Sequence, residues 1–72
     1  MSGLKYVERF MFVNELINKE RTGNPSALAT KLNVSERTIY RIIDDLRLYY
    51  GYNPEILFDN EKNSYVFVKK NM

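Results

Sequence analysis

The sequence predicts a mainly α-helical fold that ends in a small β-hairpin. Apolar residues recur every three or four positions in three successive stretches, at about 4–20, 25–32 and 35–50, which is the period of amphipathic helices. Two short apolar runs, at 56–58 and 65–68, then flank a polar segment, which is the pattern of two strands joined by a loop. Three helices and a hairpin are therefore expected in this order.

The first helix is predicted from Leu4 to about Glu20 by a stripe of apolar side chains. Gly23 suits a left-handed helix end, and Pro25 is tolerated only in the first turn of a helix. We therefore expect the first helix to end at this segment and the second to begin at Pro25, with Asn24 as its N-cap. The stripe consists of Tyr6, Val7, Phe10, Val13, Leu16 and Ile17.

The second helix is short and is expected to end near Leu32, where the chain has to turn sharply. Asn33 stands at this turn, and asparagine adopts left-handed backbone geometry at low cost. Ser35 is expected to cap the third helix, because its hydroxyl can accept a hydrogen bond from an amide two or three residues later. That helix should run to about Tyr50 and stop at Gly51.

The third helix separates its apolar side chains from two arginines. At about 100° per residue, four apolar residues fall within one narrow arc, and Arg37 and Arg41 fall almost opposite. Such a helix fits the major groove of DNA, where arginine recognises guanine and threonine contacts a base or a phosphate. We therefore expect Ser35, Thr38 and Tyr40 to contact DNA beside the two arginines. The apolar arc comprises Ile39, Ile42, Ile43 and Leu46.

A simpler interpretation is that Arg41 pairs with Asp44 or Asp45 on an ordinary solvated helix, since these carboxylates lie three and four residues later. Such pairs are common and weak. If the helix binds DNA, the same carboxylates are expected to orient Arg41 or to lie where the helix leaves the groove. Arg37 has no carboxylate at either spacing within the helix.

Three further residues are expected to approach the DNA backbone. Ser26 and Lys31 lie on the second helix, whose N-terminus attracts anions, although an ordinary solvated lysine is an equal alternative for Lys31. Lys62 lies in the hairpin loop, where the neighbouring Asp59 and Glu61 nearly cancel its charge. The hairpin is therefore expected to bind DNA weakly.

Composition limits the other possibilities. The 72 residues are expected to form one domain spanning 1–72, and they include neither cysteine nor histidine. Disulfides, the usual zinc ligands and Cys–His or Ser–His nucleophiles are thereby excluded, so we expect no enzymatic activity, metal, cofactor or small-molecule ligand. No apolar run approaches the roughly 20 residues of a membrane span, so a cytoplasmic, nucleoid-associated protein is expected. The net charge of +2 permits binding to nucleic acid.

Three helices followed by a hairpin form the order of a winged helix-turn-helix domain, and the chain resembles such domains in bacterial DeoR-type and related transcription regulators. Segment 35–46 resembles the recognition helix of that family, and 29–34 resembles the segment before it. The resemblance implies sequence-specific binding to double-stranded DNA through Arg37, Thr38 and Arg41, in a small transcription regulator or the DNA-reading domain of one. Similar domains place a helix-ending glycine and the wing strands at the positions of Gly51, Ile56, Phe58 and Tyr65.

The main alternative is a protein-interaction or dimerisation module of the same fold that binds no nucleic acid. Phe12 falls on the far side of the first helix from Phe10, and Leu57, Val66 and Val68 fall on the second face of the hairpin. Exposure of these side chains would favour a protein partner, whereas a first helix that touches several elements would bury them. A homodimer would also suit DNA binding, because two recognition helices then read half-sites about one helical turn apart. The first face of the hairpin, expected to join the core, carries Ile56, Phe58, Tyr65 and Phe67.

Overall fold

The computed structural model describes residues 2–69, with side chains described from 5 to 69. This part of the chain forms three helices and a two-stranded antiparallel sheet. The order confirms the predicted mainly α-helical fold with a terminal hairpin, and it is that of a winged helix. The elements are α1 (Ser2–Lys19), α2 (Pro25–Leu32), α3 (Glu36–Tyr50), β1 (Glu55–Asp59) and β2 (Ser64–Val68).

Local hydrogen bonds begin and end α2 and α3 where the sequence predicts. The Asn24 side chain caps α2 by accepting a hydrogen bond from the Ala27 amide (2.7 Å). Asn33 adopts the left-handed conformation (φ 58°, ψ 48°) and turns the chain toward α3. The Ser35 hydroxyl accepts from the amide three residues later (3.2 Å), and α3 ends at the left-handed Gly51. Asn24 therefore fixes the start of α2, Asn33 and Ser35 fix the turn between α2 and α3, and Gly51 fixes the end of α3.

The end of α1 lies within one residue of the predicted bound, but the residue that closes the helix is not the predicted Gly23. The left-handed residue that terminates this helix is Glu20 (φ 58°), three positions before Gly23. The Glu20 amide donates to the Ile17 carbonyl (3.0 Å) and the Arg21 amide donates to the Leu16 carbonyl (2.9 Å), which closes the last turn. These bonds satisfy the terminal carbonyls before the chain reaches Gly23, which also has a positive φ (72°) but lies within the connecting loop.

The core lies where the three helices and the inner face of the hairpin meet. The apolar arc of α3 is buried as predicted, and Val13 and Ile17 of α1 and Leu28 of α2 pack with it. The Tyr50 hydroxyl, at the end of α3, donates to the Asn14 side-chain oxygen (2.6 Å) and ties α3 to α1. The arc on α3 consists of Ile39, Ile42, Ile43 and Leu46, each at most 1% exposed.

The hairpin presents one face to this core, as expected. Ile56 pairs with Phe67, and Phe58 pairs with Tyr65, so all four side chains lie on the inner face and belong to the core or pack against it. On the outer face, Leu57 is 43% exposed, whereas Val66 is only 7% exposed. Of the two alternatives left open for this face, exposure therefore holds for Leu57 and burial for Val66, because the first three residues of β2 are buried on both faces.

A buried pair of hydroxyl groups joins the loop between α1 and α2 to the start of β2. Thr22 and Ser64 are both 0% exposed, and their hydroxyl oxygens lie 3.1 Å apart. The Thr22 hydroxyl accepts from the Tyr65 amide (2.9 Å) and donates to the Gly23 carbonyl (2.8 Å). The Ser64 hydroxyl accepts from the Thr22 amide (3.0 Å) and donates to the Tyr65 carbonyl (2.8 Å). This network attaches the hairpin to the helices.

Replacing Thr22 with valine should lower the free energy of unfolding by about 1–3 kcal/mol, because the buried Tyr65 amide loses its acceptor while the shape of the side chain is kept. Urea unfolding followed by circular dichroism measures the change. Thr30→Val is the matched control, since the Thr30 hydroxyl donates to the Ser26 carbonyl on the exposed side of α2. Equal losses in the two variants would contradict the role assigned to the buried pair.

Candidate nucleic-acid interface

The exposed face of α3 carries the two arginines that the sequence singles out. Arg37 and Arg41 are both exposed and lie one turn apart, separated by about 6 Å along the helix axis. Within the described residues, neither guanidinium donates a hydrogen bond to a side chain or carbonyl, and neither forms an ion pair. Both therefore project from a rigid helix with their donors directed to solvent.

Asp44 is held on one flank of α3 by Arg47. The Arg47 Nη1 atom lies 2.9 Å from the Asp44 Oδ1 atom. The same guanidinium donates to the Ile56 carbonyl through Nη2 (2.9 Å) and Nε (3.2 Å), so it also anchors β1 to the helix. The planar fork of arginine makes these contacts possible at once. Arg47 thus belongs to the scaffold of the interface.

Asp45 is held on the opposite flank by Tyr6 of α1. The Tyr6 hydroxyl donates a hydrogen bond to the Asp45 Oδ2 atom. The pKa of Tyr6 is raised to about 12, first by burial and then by the hydrogen bond to Asp45 and its negative charge, while the charge of Arg41 opposes them. The simpler interpretation, in which Arg41 pairs with Asp44 or Asp45, finds no such ion pair in residues 5–69, where each carboxylate is bound by a residue outside the exposed arginine face.

The remaining predicted residues of α3 border the two arginines. The Ser35 hydroxyl, which caps the helix, lies 3.2 Å from the Thr38 hydroxyl, so both are already engaged locally. Tyr40 is 49% exposed on the side of the hairpin. Burial raises the pKa of Tyr65, and the nearby Tyr40 adds to this effect. Ser35, Thr38 and Tyr40 thus surround the arginines at the N-terminal half of α3.

The structure does not bring the residues predicted on α2 together. Ser26 is exposed in the first turn of this helix, and Lys31 is exposed in its last turn. They are separated by about 7–8 Å along the axis. No ion pair involves Lys31 in the described part of the chain. Its ammonium group is accordingly available to a phosphate.

Lys62 in the hairpin loop is already paired. Its Nζ atom lies 3.1 Å from the Oε1 atom of Glu20, the residue that ends α1. The Asp59 carboxylate accepts from the backbone amides of Glu61 and Lys62 (2.9 and 3.2 Å) and thereby shapes the loop. The loop retains its acidic character, and its lysine is directed toward the body of the protein.

Sequence reasoning missed the roles of Tyr6 and Arg47. In the sequence, Tyr6 is one of several apolar positions on a helical stripe, and its partner Asp45 lies 39 positions away. Arg47 stands three residues after Asp44, a spacing that indicates the ion pair, but no signal in the sequence identifies the Ile56 carbonyl as its second acceptor.

Several large apolar side chains lie on the surface away from the arginines. Phe12 is 44% exposed on α1, which is one of the two alternatives left open by the sequence, and Met11 beside it is also exposed. Tyr49 is exposed near the end of α3, where its ring meets that of Phe10 edge-on (5.9 Å between centroids). A shallow groove runs over these residues and the adjoining part of α1. Leu57 and Val68 are exposed on the outer face of the hairpin.

Comparison with known protein families gives a match over the helix-turn-helix region. A family model described as an HTH domain matches residues 9–52, which include all of α2 and α3. No curated protein and no solved structure matches the chain. Over residues 2–69, no helix has the length and hydropathy needed to cross a bilayer, and no cluster of carboxylates has the arrangement needed to hold a metal ion.

The Tyr6–Asp45 contact should make stability depend on alkaline pH. The pKa of Tyr6 is raised from 10.0 to about 12 in the folded protein, so the unfolded chain releases this proton first as the pH rises. The stabilising contribution is complete below about pH 10 and is lost as the pH approaches 12. Urea unfolding between about pH 9 and pH 12 should show a smaller decline for Tyr6→Phe than for the wild type. Identical declines would count against this contact.

Proposed function

The chain belongs to the family of DNA-binding helix-turn-helix domains, since the match covers more than half of its 72 residues, and from this premise we propose that it binds double-stranded DNA sequence-specifically. Helix α3 enters the major groove, with Arg37 and Arg41 directed at base edges. Arginine donates two hydrogen bonds to the O6 and N7 atoms of guanine, so the recognised sequence should contain guanines at positions set by the spacing of the two side chains.

The observation that carries this proposal is that neither Arg37 nor Arg41 forms an ion pair within residues 5–69. Two acidic residues follow Arg41 by three and four positions, yet Asp44 is bound by Arg47 and Asp45 by Tyr6. The exposed face of α3 therefore presents two guanidinium groups, while its carboxylates are held to the sides. Such a face suits an anionic ligand that offers pairs of hydrogen-bond acceptors in one plane. The edges of guanine and the phosphates of the duplex provide both features.

The neighbouring polar residues would fix the position of the domain on the duplex. Thr38, Tyr40 and Ser35 border the arginines and would contact phosphates or base edges, and Ser26 and Lys31 on α2 would contact the backbone. Lys62 would have to leave Glu20 before it could reach a phosphate, so the hairpin contributes little to affinity. Phosphate contacts of this kind raise affinity for every sequence, whereas the contacts of the two arginines discriminate between sequences.

The biological role that suits this activity is transcription regulation. The proposed protein is a small regulator, or the DNA-reading part of one, related to bacterial DeoR-type proteins and acting on the nucleoid in the cytoplasm. Selection from a random double-stranded DNA library, followed by titration at two salt concentrations, would identify the target. Binding to all sequences alike, with an affinity that vanishes as salt rises, would contradict sequence-specific function.

Replacing Arg37 or Arg41 with alanine should weaken binding to the selected site by about 1–3 kcal/mol and relax the base preference at one position each. Lys31→Ala should weaken binding to all sequences alike, because it removes a phosphate contact. Lys19→Ala removes the same charge from α1, where Lys19 is paired with Glu15, and serves as the control. Fluorescence anisotropy with site and scrambled duplexes measures these changes. Unchanged affinity in both arginine variants would refute the assignment of α3 to the groove.

A second candidate function is association with another protein, favoured by the exposed apolar side chains on α1 and the hairpin. In the version compatible with DNA binding, two copies of the chain associate and place two α3 helices on adjacent half-sites. In the other version, the winged helix acts as an interaction module without nucleic acid. The exposure of Phe12 in the middle of α1 is the observation that supports association.

Replacing Phe12 with glutamate should abolish self-association while leaving the fold intact, because the side chain is 44% exposed and the variant places a charge in the contact. Sedimentation at tens of micromolar measures association, and circular dichroism checks the fold. Leu57→Glu, at an equally exposed position on the hairpin, distinguishes an interface on α1 from one on the wing. A monomeric wild-type mass at this concentration would refute the dimer.

A further inference from the structure

Tyr6 lies in a position to control the availability of Arg41. It projects from α1 and donates a hydrogen bond to Asp45 of α3. The positive charge of Arg41 acts to lower its pKa. Asp45 is four residues after Arg41 in the same helix, which is a spacing at which an arginine and a carboxylate can pair. The carboxylate therefore has two possible partners, one on its own helix and one on α1.

The Tyr6 hydroxyl is better placed than Arg41 to bind the Asp45 carboxylate. Its ring packs against the core and lies 6.4 Å from the ring of Phe10, so little conformational freedom is left to lose when the hydrogen bond forms. Arg41, by contrast, is exposed and would have to order a long side chain to pair with Asp45. The carboxylate at the other possible spacing, Asp44, is bound by Arg47.

We propose that Tyr6 is a positioning residue for DNA recognition: by holding Asp45 toward α1, it prevents this carboxylate from pairing with Arg41 and leaves the guanidinium available to a base. This inference rests on the proposed function, and it adds a residue of α1 to the set that determines specificity. Tyr6 does not itself contact the base. It acts through Asp45, and removal of Asp45 should therefore remove its effect.

The test is a double-mutant cycle on binding to the selected DNA site. Tyr6→Phe keeps the ring and releases Asp45, so affinity should fall about threefold and base preference should relax at the position read by Arg41. Asp45→Asn should bind at least as tightly as the wild type, because a negative charge near the phosphates is lost. In the Asp45→Asn background, Tyr6→Phe should have no further effect on affinity or preference. Arg37→Ala is the contrasting variant, since it should relax the base preference at a different position of the DNA site.

A merely structural role for Tyr6 predicts another pattern. Loss of packing or of helix position would weaken binding to all sequences equally and would persist in the Asp45→Asn background. That result would overturn the inference, as would a Tyr6→Phe variant with wild-type affinity and base preference. Circular dichroism and urea unfolding of each variant confirm that the proteins compared are folded.

Nuclear magnetic resonance of the Arg41 Nε–H group separates this inference from the proposed function, because it requires no DNA. The signal should shift toward that of a paired guanidinium in Tyr6→Phe and return to the wild-type position when Asp45→Asn is added. An unchanged signal in Tyr6→Phe would overturn the positioning role. If the wild type selects no DNA sequence, the proposed function fails, whereas this comparison still decides whether Tyr6 keeps Asp45 away from Arg41.

Discussion

Burial of the apolar side of α3 is the constraint on which the other features depend. The four side chains of its apolar arc are inaccessible to solvent and pack against residues from α1, α2 and the hairpin, with a transfer free energy on the order of 10 kcal/mol in total. Because an α-helix is rigid, fixing this side also fixes the direction of the opposite side. Arg37 and Arg41 therefore point outward, although neither forms an ion pair within residues 5–69.

The polar contacts around α3 serve mainly to position side chains. The Asp44–Arg47 pair is largely exposed at Asp44 and adds little stability by itself, but the same arginine donates twice to the Ile56 carbonyl and keeps β1 against the helix. Tyr6 has the corresponding place on the other flank, where it binds Asp45. Both carboxylates are thus drawn away from the central line of the exposed face, which leaves positive charge there.

Sequence reasoning succeeded where structure is determined by residues close along the chain. Asn24, Asn33, Ser35 and Gly51 were all assigned correctly because each acts on backbone groups within a few residues. It placed the end of α1 within one residue but assigned the wrong closing residue, because the closing hydrogen bonds form at Glu20 before the chain reaches Gly23. It also missed contacts between distant segments, such as Tyr6 with Asp45 and Thr22 with Ser64. The spacing of residues along the chain does not indicate such contacts.

The hairpin serves the proposed interface chiefly as a support. Its only lysine within the loop is paired with Glu20, and the amides of Glu61 and Lys62 donate to the Asp59 carboxylate, so neither the ammonium group nor these amides are arranged to bind a phosphate. Its inner face completes the core under α3, and Thr22 with Ser64 fixes the start of β2. Recognition in this domain therefore depends on α3 and the helices that orient it, and sequence preference should follow from Arg37 and Arg41 more than from the wing.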